Sequence, residues 1–257
     1  SRNREKSKAF WLWSIVGMLG GVFSLFAVVA FNQPPPTDHV TACRMDQKDP
    51  AHTIILIDQS DPFQTNDYGW VDSLVDEEAR RLPKYGRLTV ITPNTADPFE
   101  PQQIFSACST GAARSANPLF ENPRMVEDAW RDSFRNPLGV AVSTVMKDKT
   151  APASPLAEAL YSVFDRSDFR AEASSKRRVV IISDLMQNSK GFSFYKKGAD
   201  YSSFQKTRLG RFSFNADGAE IIARIVPRQQ YDLPLEDLKL FWKSYFSDAN
   251  ADFLALN

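Results

Sequence analysis

TIILIDQSDPF, residues 53–63, is the stretch that decides the fold. Its first five residues are apolar or β-branched without polar alternation, which predicts a strand buried on both faces of a parallel sheet. The run stops at Asp58, and ligands of such sheets bind just beyond the carboxyl ends of the strands. We therefore expect the functional site to include Asp58 and Ser60.

A second stretch repeats this arrangement: RVVIISD, residues 178–184, is an apolar run that ends at Asp184. The carboxyl ends of parallel strands lie at one edge of a sheet, so we expect Asp58 and Asp184 to be neighbours. Carboxylate and hydroxyl oxygens suit a hard cation, and Mg²⁺ binds through one or two carboxylates and waters. The sequence thus predicts a cation site at this edge.

These residues resemble the metal-ion-dependent adhesion site of the von Willebrand factor A family. That site begins with Asp-x-Ser-x-Ser after the first strand and adds a Thr from a later loop and an Asp after the fourth strand. Here DQSDP stands at residues 58–62, Ser154 stands in place of the Thr and is followed by Pro-Leu, and Asp184 is the last acid. Pro62 replaces the second Ser. The resemblance covers roughly residues 50–247.

The resemblance implies an α/β fold with a doubly wound, mainly parallel sheet of von Willebrand A or Rossmann-like type. It also implies that a Mg²⁺ or Mn²⁺ ion could be held at the sheet edge, with a carboxylate of a protein partner completing its coordination. Because Pro62 removes one hydroxyl ligand, affinity should be lower than in a complete site. The implied ligands are Asp58, Ser60, Ser154, Asp184 and, through a water, Asp61.

The remainder of the domain alternates strand and helix patterns, which favours β-α-β units with right-handed crossovers. Pro137 should break or kink the second of these helical stretches. The strands are predicted at residues 53–57, 87–92, 103–108, 176–184 and 219–226. The helices are predicted at residues 67–82, 123–147, 155–164 and 234–246.

The amino terminus has the pattern of a single membrane span. Four basic residues within positions 1–8 precede residues 9–31, an uninterrupted stretch of 23 uncharged residues that is long enough to cross a bilayer. The basic flank places residues 1–8 in the cytoplasm and the domain outside the inner or plasma membrane, in the periplasm or extracellular space. A cleaved signal peptide is the alternative.

Two glycines in this stretch, Gly17 and Gly21, form a Gly-x-x-x-Gly pair. Small residues at this spacing permit close pairing of helices in a membrane. They indicate a homo-oligomer or pairing with another span. The complete division is a basic tail at 1–8, a span at 9–31, a Pro-rich linker at 32–52, the domain at 53–247 and a tail at 248–257.

The chain has two cysteines, Cys43 and Cys108. They would form a disulfide if the domain lies in an oxidising compartment, as the membrane topology predicts. Two buried free thiols are the alternative.

Two further segments are candidates for binding. The loop at residues 109–123 is long, and we expect it near the ligand end of the sheet. Residues 185–214 mix aromatic and basic side chains, a pattern that can bind single-stranded nucleic acid. Nucleic acid is not the expected partner, because 31 basic residues balance 31 acidic ones. Aromatics packed on the sheet are the simpler interpretation.

The function that these observations favour is a membrane-anchored, protein-binding or scaffold subunit of a multi-component assembly. No nucleophile elbow, phosphate loop or zinc-protease motif occurs, so no catalytic residues are assigned. The alternative is a metal-dependent phosphohydrolase that uses Asp58, Asp61 and Asp184. His39 and His52 flank the linker and are poor candidates for its general base.

Overall fold

A computed structural model describes residues 2–31, 35–46, 49–60, 62–147, 151–174, 176–216, 218–226 and 233–256. The chain divides into two compact units, Ser1–Pro36 and Thr37–Asn257. The second unit contains the sheet and the candidate site.

The first unit is one helix, α1 (Arg2–Phe31), which covers the predicted span. Gly17 and Gly21 lie one turn apart on it, and a Cβ added at either position meets no atom within 4 Å. Large apolar side chains such as Trp13 and Phe23 are exposed. Within the described residues, no helix is both long enough and apolar enough to cross a membrane.

The second unit is built on one sheet of six strands. Its order is β3-β2-β1-β4-β5-β6, and all neighbours are parallel except β2 and β3. The predicted α/β fold with a mainly parallel sheet is therefore confirmed, as is the adjacency of the strands that precede Asp58 and Asp184. The strands are β1 (His52–Ile57), β2 (Arg87–Thr92), β3 (Gln102–Cys108), β4 (Arg177–Ser183), β5 (Ala219–Ile225) and β6 (Phe253–Leu256).

Seven helices lie in the described part of this unit. A π-helical turn at Arg131–Arg135 separates the third and fourth helices of the chain, close to the break predicted at Pro137. The π-turn joins α3 to α4 without a gap, so Pro137 lies inside a continuous helical stretch. A proline there cannot donate the helical hydrogen bond, and the wider π-turn directly before it accommodates that loss without ending the helix. The helices are α2 (Thr65–Arg81), α3 (Pro123–Trp130), α4 (Asn136–Lys147), α5 (Leu156–Asp165), α6 (Phe194–Lys197), α7 (Tyr201–Gln205) and α8 (Leu235–Ser247).

Helices cover both faces of the sheet, as predicted. Because successive side chains of a strand point to opposite faces, β1 contributes to two cores. Ile54 and Leu56 pack with α5 and α8, whereas Ile55 and Ile57 pack with α2 and α4. All four side chains are fully buried, so β1 is the central strand of both cores.

Residues 185–214 place their aromatic rings in the first of these cores. Phe192, Phe194 and Phe204 are buried and surround Phe241 of α8, with ring centroids 6.2, 4.7 and 5.2 Å from it. Their burial agrees with the simpler interpretation of the segment, in which its aromatics pack on the sheet.

The predicted linker at residues 32–52 is partly integrated into the domain. Cys43 and Cys108 are joined in a disulfide with Cα atoms 4.8 Å apart, as predicted. The amide of Cys108 also donates to the carbonyl of Thr41 at 2.7 Å. His52, expected at the edge of the linker, is instead the buried first residue of β1. The disulfide and the backbone hydrogen bond thus fix the incoming chain against β3.

The predicted tail at residues 248–257 contributes the edge strand β6. This strand pairs in parallel with β5, and the ring of Phe253 stacks on Phe246 of α8 at 5.2 Å. It adds four residues to the sheet and ends the domain beyond the boundary predicted at residue 247.

The loop at residues 109–123 lies at the opposite end of the sheet from the one predicted. β3 runs antiparallel to β2, and Cys108 at its end is in register with Arg87 at the start of β2. The amide of Tyr85 donates to the carbonyl of Ser109, which holds the loop there. The expected position near Asp58 is therefore wrong, because it assumed that every strand is parallel.

Candidate functional site

Hydrogen-bond donors converge on the carboxylate of Asp58, directly after β1. The backbone amide of Ser60 donates to Oδ1 at 3.0 Å, and the Ser60 hydroxyl to Oδ2 at 3.1 Å. The hydroxyl of Ser154 donates to Oδ2 at 2.8 Å, and that of Ser183 at 2.9 Å. The Ser60 contacts form an Asx turn, in which a short acidic side chain caps its own backbone. Three hydroxyls from distant parts of the sequence therefore meet at one acid.

The loop before α5 is fixed so that Ser154 faces Asp58. Ser154 and Asn188 exchange two backbone hydrogen bonds, of 2.9 and 2.8 Å. One turn further on, the amide of Ala157 donates to the side chain of Gln187 at 2.9 Å. The segment that follows β4 therefore holds the start of α5 and, with it, the position of the Ser154 hydroxyl.

Asp184 is the second acid of the site. Its Oδ1 accepts the amide of Met186 at 2.8 Å and lies 3.5 Å from the Ser183 hydroxyl. Ser183 therefore lies between the carboxylates of Asp184 and Asp58. These two acids are only 4% and 5% exposed. Asp58 is thus a buried acid, enclosed by Ser60 after β1, by Ser154 before α5 and by Ser183 at the end of β4.

Leu185 follows with φ of 68°, a left-handed conformation that is costly for a bulky residue. Its amide donates to the Ser183 hydroxyl at 2.8 Å, and its carbonyl accepts the indole N–H of Trp242 at 2.9 Å. Such conformations cost about 1–3 kcal/mol and occur mainly where surrounding contacts enforce them, often at functional sites. The chain turns sharply here and so directs Asp184 and Met186 toward the site.

The buried surroundings of Asp58 disfavour the charged form of its carboxyl group. Burial raises the pKa of the carboxyl, and the hydrogen bonds from Ser154, Ser183 and Ser60 only oppose this effect. A cation beside the carboxylate would stabilise its charged form. Cation binding at the site would therefore offset the cost of keeping the Asp58 carboxylate charged and buried.

A cavity of about 170 Å³ opens beside the hydroxyl groups of Ser60 and Ser154. Met186 and Asn188 form part of its lining. This volume exceeds what one water needs, so an ion with part of its hydration shell fits. The cavity therefore reaches two of the serines that hydrogen-bond to Asp58, whereas Asp58 and Asp184 themselves do not line it.

The donor set fits a hard cation such as Mg²⁺ or Mn²⁺. It consists of two carboxylates and three hydroxyls, all of them oxygen ligands. Hydroxyl hydrogens rotate, so oxygens that now donate to Asp58 can turn their lone pairs toward an ion. Of the predicted ligands, Asp58, Ser60, Ser154 and Asp184 lie together, and Asp61 falls outside the described residues.

Ser183 is the site residue that the sequence analysis missed. Side chains alternate along β4, and Val179 and Ile181 pack in the core that contains α5. Ser183 continues that face, and the loop before α5 carries Ser154. The alternation of side chains along β4 was therefore a signal that could have identified Ser183 as a residue of the site.

Cys43, Asp49 and Cys108 form another group with side-chain ligand atoms within 4.8 Å of one another. The two sulfurs are bonded to each other and offer no thiolate, which is the form that binds metal. Asp49 pairs with Arg87 at 2.6 Å. These contacts explain the cluster without an ion.

His52 lies at the amino end of β1, whereas Asp58 follows its carboxyl end. Nδ1 of the ring donates to the carbonyl of Asp168 at 3.0 Å, and Nε2 lies 2.9 Å from the hydroxyl of Thr89. A strand rises about 3.3 Å per residue, so the ring is roughly 20 Å from the acid. It cannot act as a base there.

No protein-family model matches the sequence, and no curated protein matches it either. The interpretation of the site therefore rests on the geometry around Asp58 and on the motif in residues 58–62.

Proposed function

We propose that the unit Thr37–Asn257 is a von Willebrand A-like, protein-binding domain whose recognition surface lies at the carboxyl ends of β1 and β4. The observation that carries this proposal is the convergence of three hydroxyls on Asp58, with Asp184 beside them. The acids are buried, yet a cavity connects their neighbours Ser60 and Ser154 to the surface. A purely structural role would not need that opening.

A bound Mg²⁺ or Mn²⁺ ion would supply positive charge and an open coordination position for a partner's carboxylate. The residues of this chain supply the rest of the recognition. Ser60, Ser154 and Asn188 line the cavity, and the side-chain NH₂ group of Asn188 is a donor that a partner backbone can engage. The Ser154–Asn188 backbone pair keeps these groups in fixed positions before the partner arrives. Such preorganisation reduces the entropy lost on binding.

The alternative, a phosphohydrolase at the same acids, is less well supported. Such an enzyme needs a nucleophile or a proton donor in addition to its metal ligands. Within the described residues the histidine ring of His52 lies at the other end of the sheet. Hydrolysis of a phosphoester by the wild type that is lost in Asp58→Asn would favour this alternative.

We also propose that α1 anchors the protein at a membrane, with the domain on the outer side, as part of a multi-component assembly. The proposal rests on the sequence of residues 9–31 and on the exposed apolar side chains of α1, since surfaces of this kind mark membrane or protein contacts. The Cys43–Cys108 disulfide is consistent with an oxidising compartment. Fusions at the carboxyl terminus should be active only with a reporter that requires export, and activity confined to a cytoplasmic reporter would contradict the proposal.

Partner binding tests the proposed function. Proteins cross-linked to the intact chain in its native membranes should be recovered with Mg²⁺ and lost with a chelator. Asp58→Asn should lose the same proteins in the presence of Mg²⁺. Asp200→Asn is a matched control, because Asp200 also gathers serine hydroxyls but lies exposed and outside the site. If the wild type, Asp58→Asn and Asp200→Asn recovered the same partners equally with Mg²⁺ and with a chelator, metal-dependent recognition would be refuted.

A further inference from the structure

A cavity of about 750 Å³ lies at the amino ends of the strands, at the opposite end of the sheet from Asp58. The starts of β1, β4 and β5 and the turn after α2 contribute to its lining. The 109–123 loop contributes Ala112, Arg114 and Ser115. The volume falls in the range of small-molecule sites, which is about 300–1,000 Å³. A loop singled out by its length thus borders a cavity large enough for a ligand.

The lining of this cavity is strongly basic. Six of its residues carry a positive charge, and Glu220 is the one acid among them. The chain as a whole is neutral, so this concentration is local. The six are Arg81, Lys84, Arg114, Lys176, Arg177 and Arg178.

Carboxylates neutralise part of this charge. Arg178 makes two hydrogen bonds to the buried Glu78, of 2.8 and 2.9 Å, and also contacts Glu220. Arg81 pairs with Glu77 at 2.8 Å. Arg178 therefore joins β4 to α2, and Arg81 is paired within α2 itself, so neither arginine is available as a ligand-binding group.

Three other cations are not neutralised in this way. Arg114 donates to the carbonyl of Leu82 at 3.3 Å, and the Lys84 ammonium lies 5.7 Å from the ring centroid of Tyr85. Within the described residues, neither of these side chains nor Lys176 forms an ion pair. Their charges therefore repel one another across the cavity, and an anion would relieve that repulsion.

We propose that this cavity binds an anion carrying at least two phosphate or carboxylate groups, with Lys84, Arg114 and Lys176 as its recognition residues. Guanidinium groups bind such oxygens through paired hydrogen bonds, and ammonium groups bind them as point charges. A phosphorylated small molecule and the headgroup of an anionic lipid share this chemistry. The site is separate from the acids at the other end of the sheet.

The test uses the full chain in detergent and isothermal titration calorimetry at about 0.15 M salt, where weak long-range attraction is screened. Pyrophosphate is the first probe. Dioctanoyl phosphatidylserine, whose headgroup carries one phosphate and one carboxylate, is the second, with zwitterionic dioctanoyl phosphatidylcholine as its counterpart without net charge. Binding of pyrophosphate identifies a free anion as a suitable ligand. Binding of phosphatidylserine alone identifies a lipid headgroup.

Lys84→Glu/Lys176→Glu should weaken binding of the effective probe at least tenfold. Both lysines are exposed, so the variant should fold, and an unchanged melting temperature without probe verifies this. Lys147→Glu/Lys243→Glu changes the net charge equally at exposed sites outside the cavity and should bind like the wild type. The proposal is overturned if neither probe binds, or if both variants weaken binding equally.

Discussion

Ser183→Ala removes the hydroxyl that lies between the two acids of the candidate site. The wild-type hydroxyl donates to Asp58 at 2.9 Å and accepts the amide of Leu185 at 2.8 Å, and Ser183 itself is buried. A hydrogen bond to a charged group contributes roughly 1.5–3 kcal/mol, and an orphaned buried amide costs about 1–3 kcal/mol. The left-handed conformation of Leu185 also loses one of the contacts that hold it.

These effects overlap, so we expect a loss of about 2–5 kcal/mol in the free energy of unfolding. For a domain of this size that corresponds to a fall in melting temperature of roughly 4–20 °C. Urea denaturation of the full chain in the presence of a chelator measures the free energy directly. The chelator ensures that only the hydrogen-bond network is tested.

Ser202→Ala is the matched control for this variant. Ser202 also donates a hydroxyl hydrogen to an aspartate, Asp200 at 2.9 Å, but this pair is exposed. We expect a change within about 0.5 kcal/mol, as for other surface substitutions. If Ser183→Ala changed stability no more than Ser202→Ala does, the hydrogen bonds assigned to Ser183 would be wrong.

Three further predictions concern the scaffold around the site. Arg178→Met should cost about 3–5 kcal/mol because it leaves Glu78, 1% exposed, without its two guanidinium hydrogen bonds. Adding Glu78→Leu should recover most of the lost free energy of unfolding, as measured by urea denaturation. A double variant as unstable as Arg178→Met alone would contradict the buried Arg178–Glu78 pair. Replacing Cys43 and Cys108, which are 65 residues apart, by serines should lower the free energy of unfolding by about 4 kcal/mol in the chain-entropy model. Thermal melting measures this loss, and an unchanged melting temperature would argue against a stabilising disulfide. Burial lowers the pKa of His52 from 6.5 to about 4. The stability that the neutral ring contributes is therefore complete above pH 6.5, and the free energy of unfolding should fall by about 3 kcal/mol as the pH falls toward 4. His52→Gln should flatten that part of the stability profile, and parallel profiles for the two proteins would exclude the assignment.

The central part of the fold was predictable because its strands carry strong local signals. β1 and β4 are uninterrupted apolar runs, each ended by an aspartate, and such runs indicate strands with two covered faces. Their adjacency was expected because both runs end in an acid at the carboxyl edge of a parallel sheet. The structure confirms both features.

Other elements depend on contacts that local sequence does not encode. β6 has four residues and becomes a strand because β5 and Phe246 are already in place. His52 belongs to β1 because its ring finds partners in Thr89 and Asp168. In each case long-range packing decides the structure, and a single-sequence pattern is too short to reveal it.

The candidate site was predictable in composition but not in environment. Residue types identified Asp58, Ser60, Ser154 and Asp184, which do lie together. The burial of Asp58 depends on the loops that carry Ser60 and Ser154, and Ser183 belongs to the site because side chains alternate along β4. Both need the tertiary arrangement, since neither is set by the motif itself.

Direct measurement of Mn²⁺ binding tests the central claim most directly. In isothermal titration calorimetry at neutral pH, the full chain should bind Mn²⁺, and the affinity should fall on acidification because burial raises the pKa of Asp58 and protonation removes its charge. Asp58→Asn, which keeps the size of the buried side chain, should abolish binding, and the exposed control Asp200→Asn should bind like the wild type. If the wild type and Asp58→Asn bind Mn²⁺ equally, or if neither binds at millimolar metal, the acids at the carboxyl ends of β1 and β4 are not a metal site.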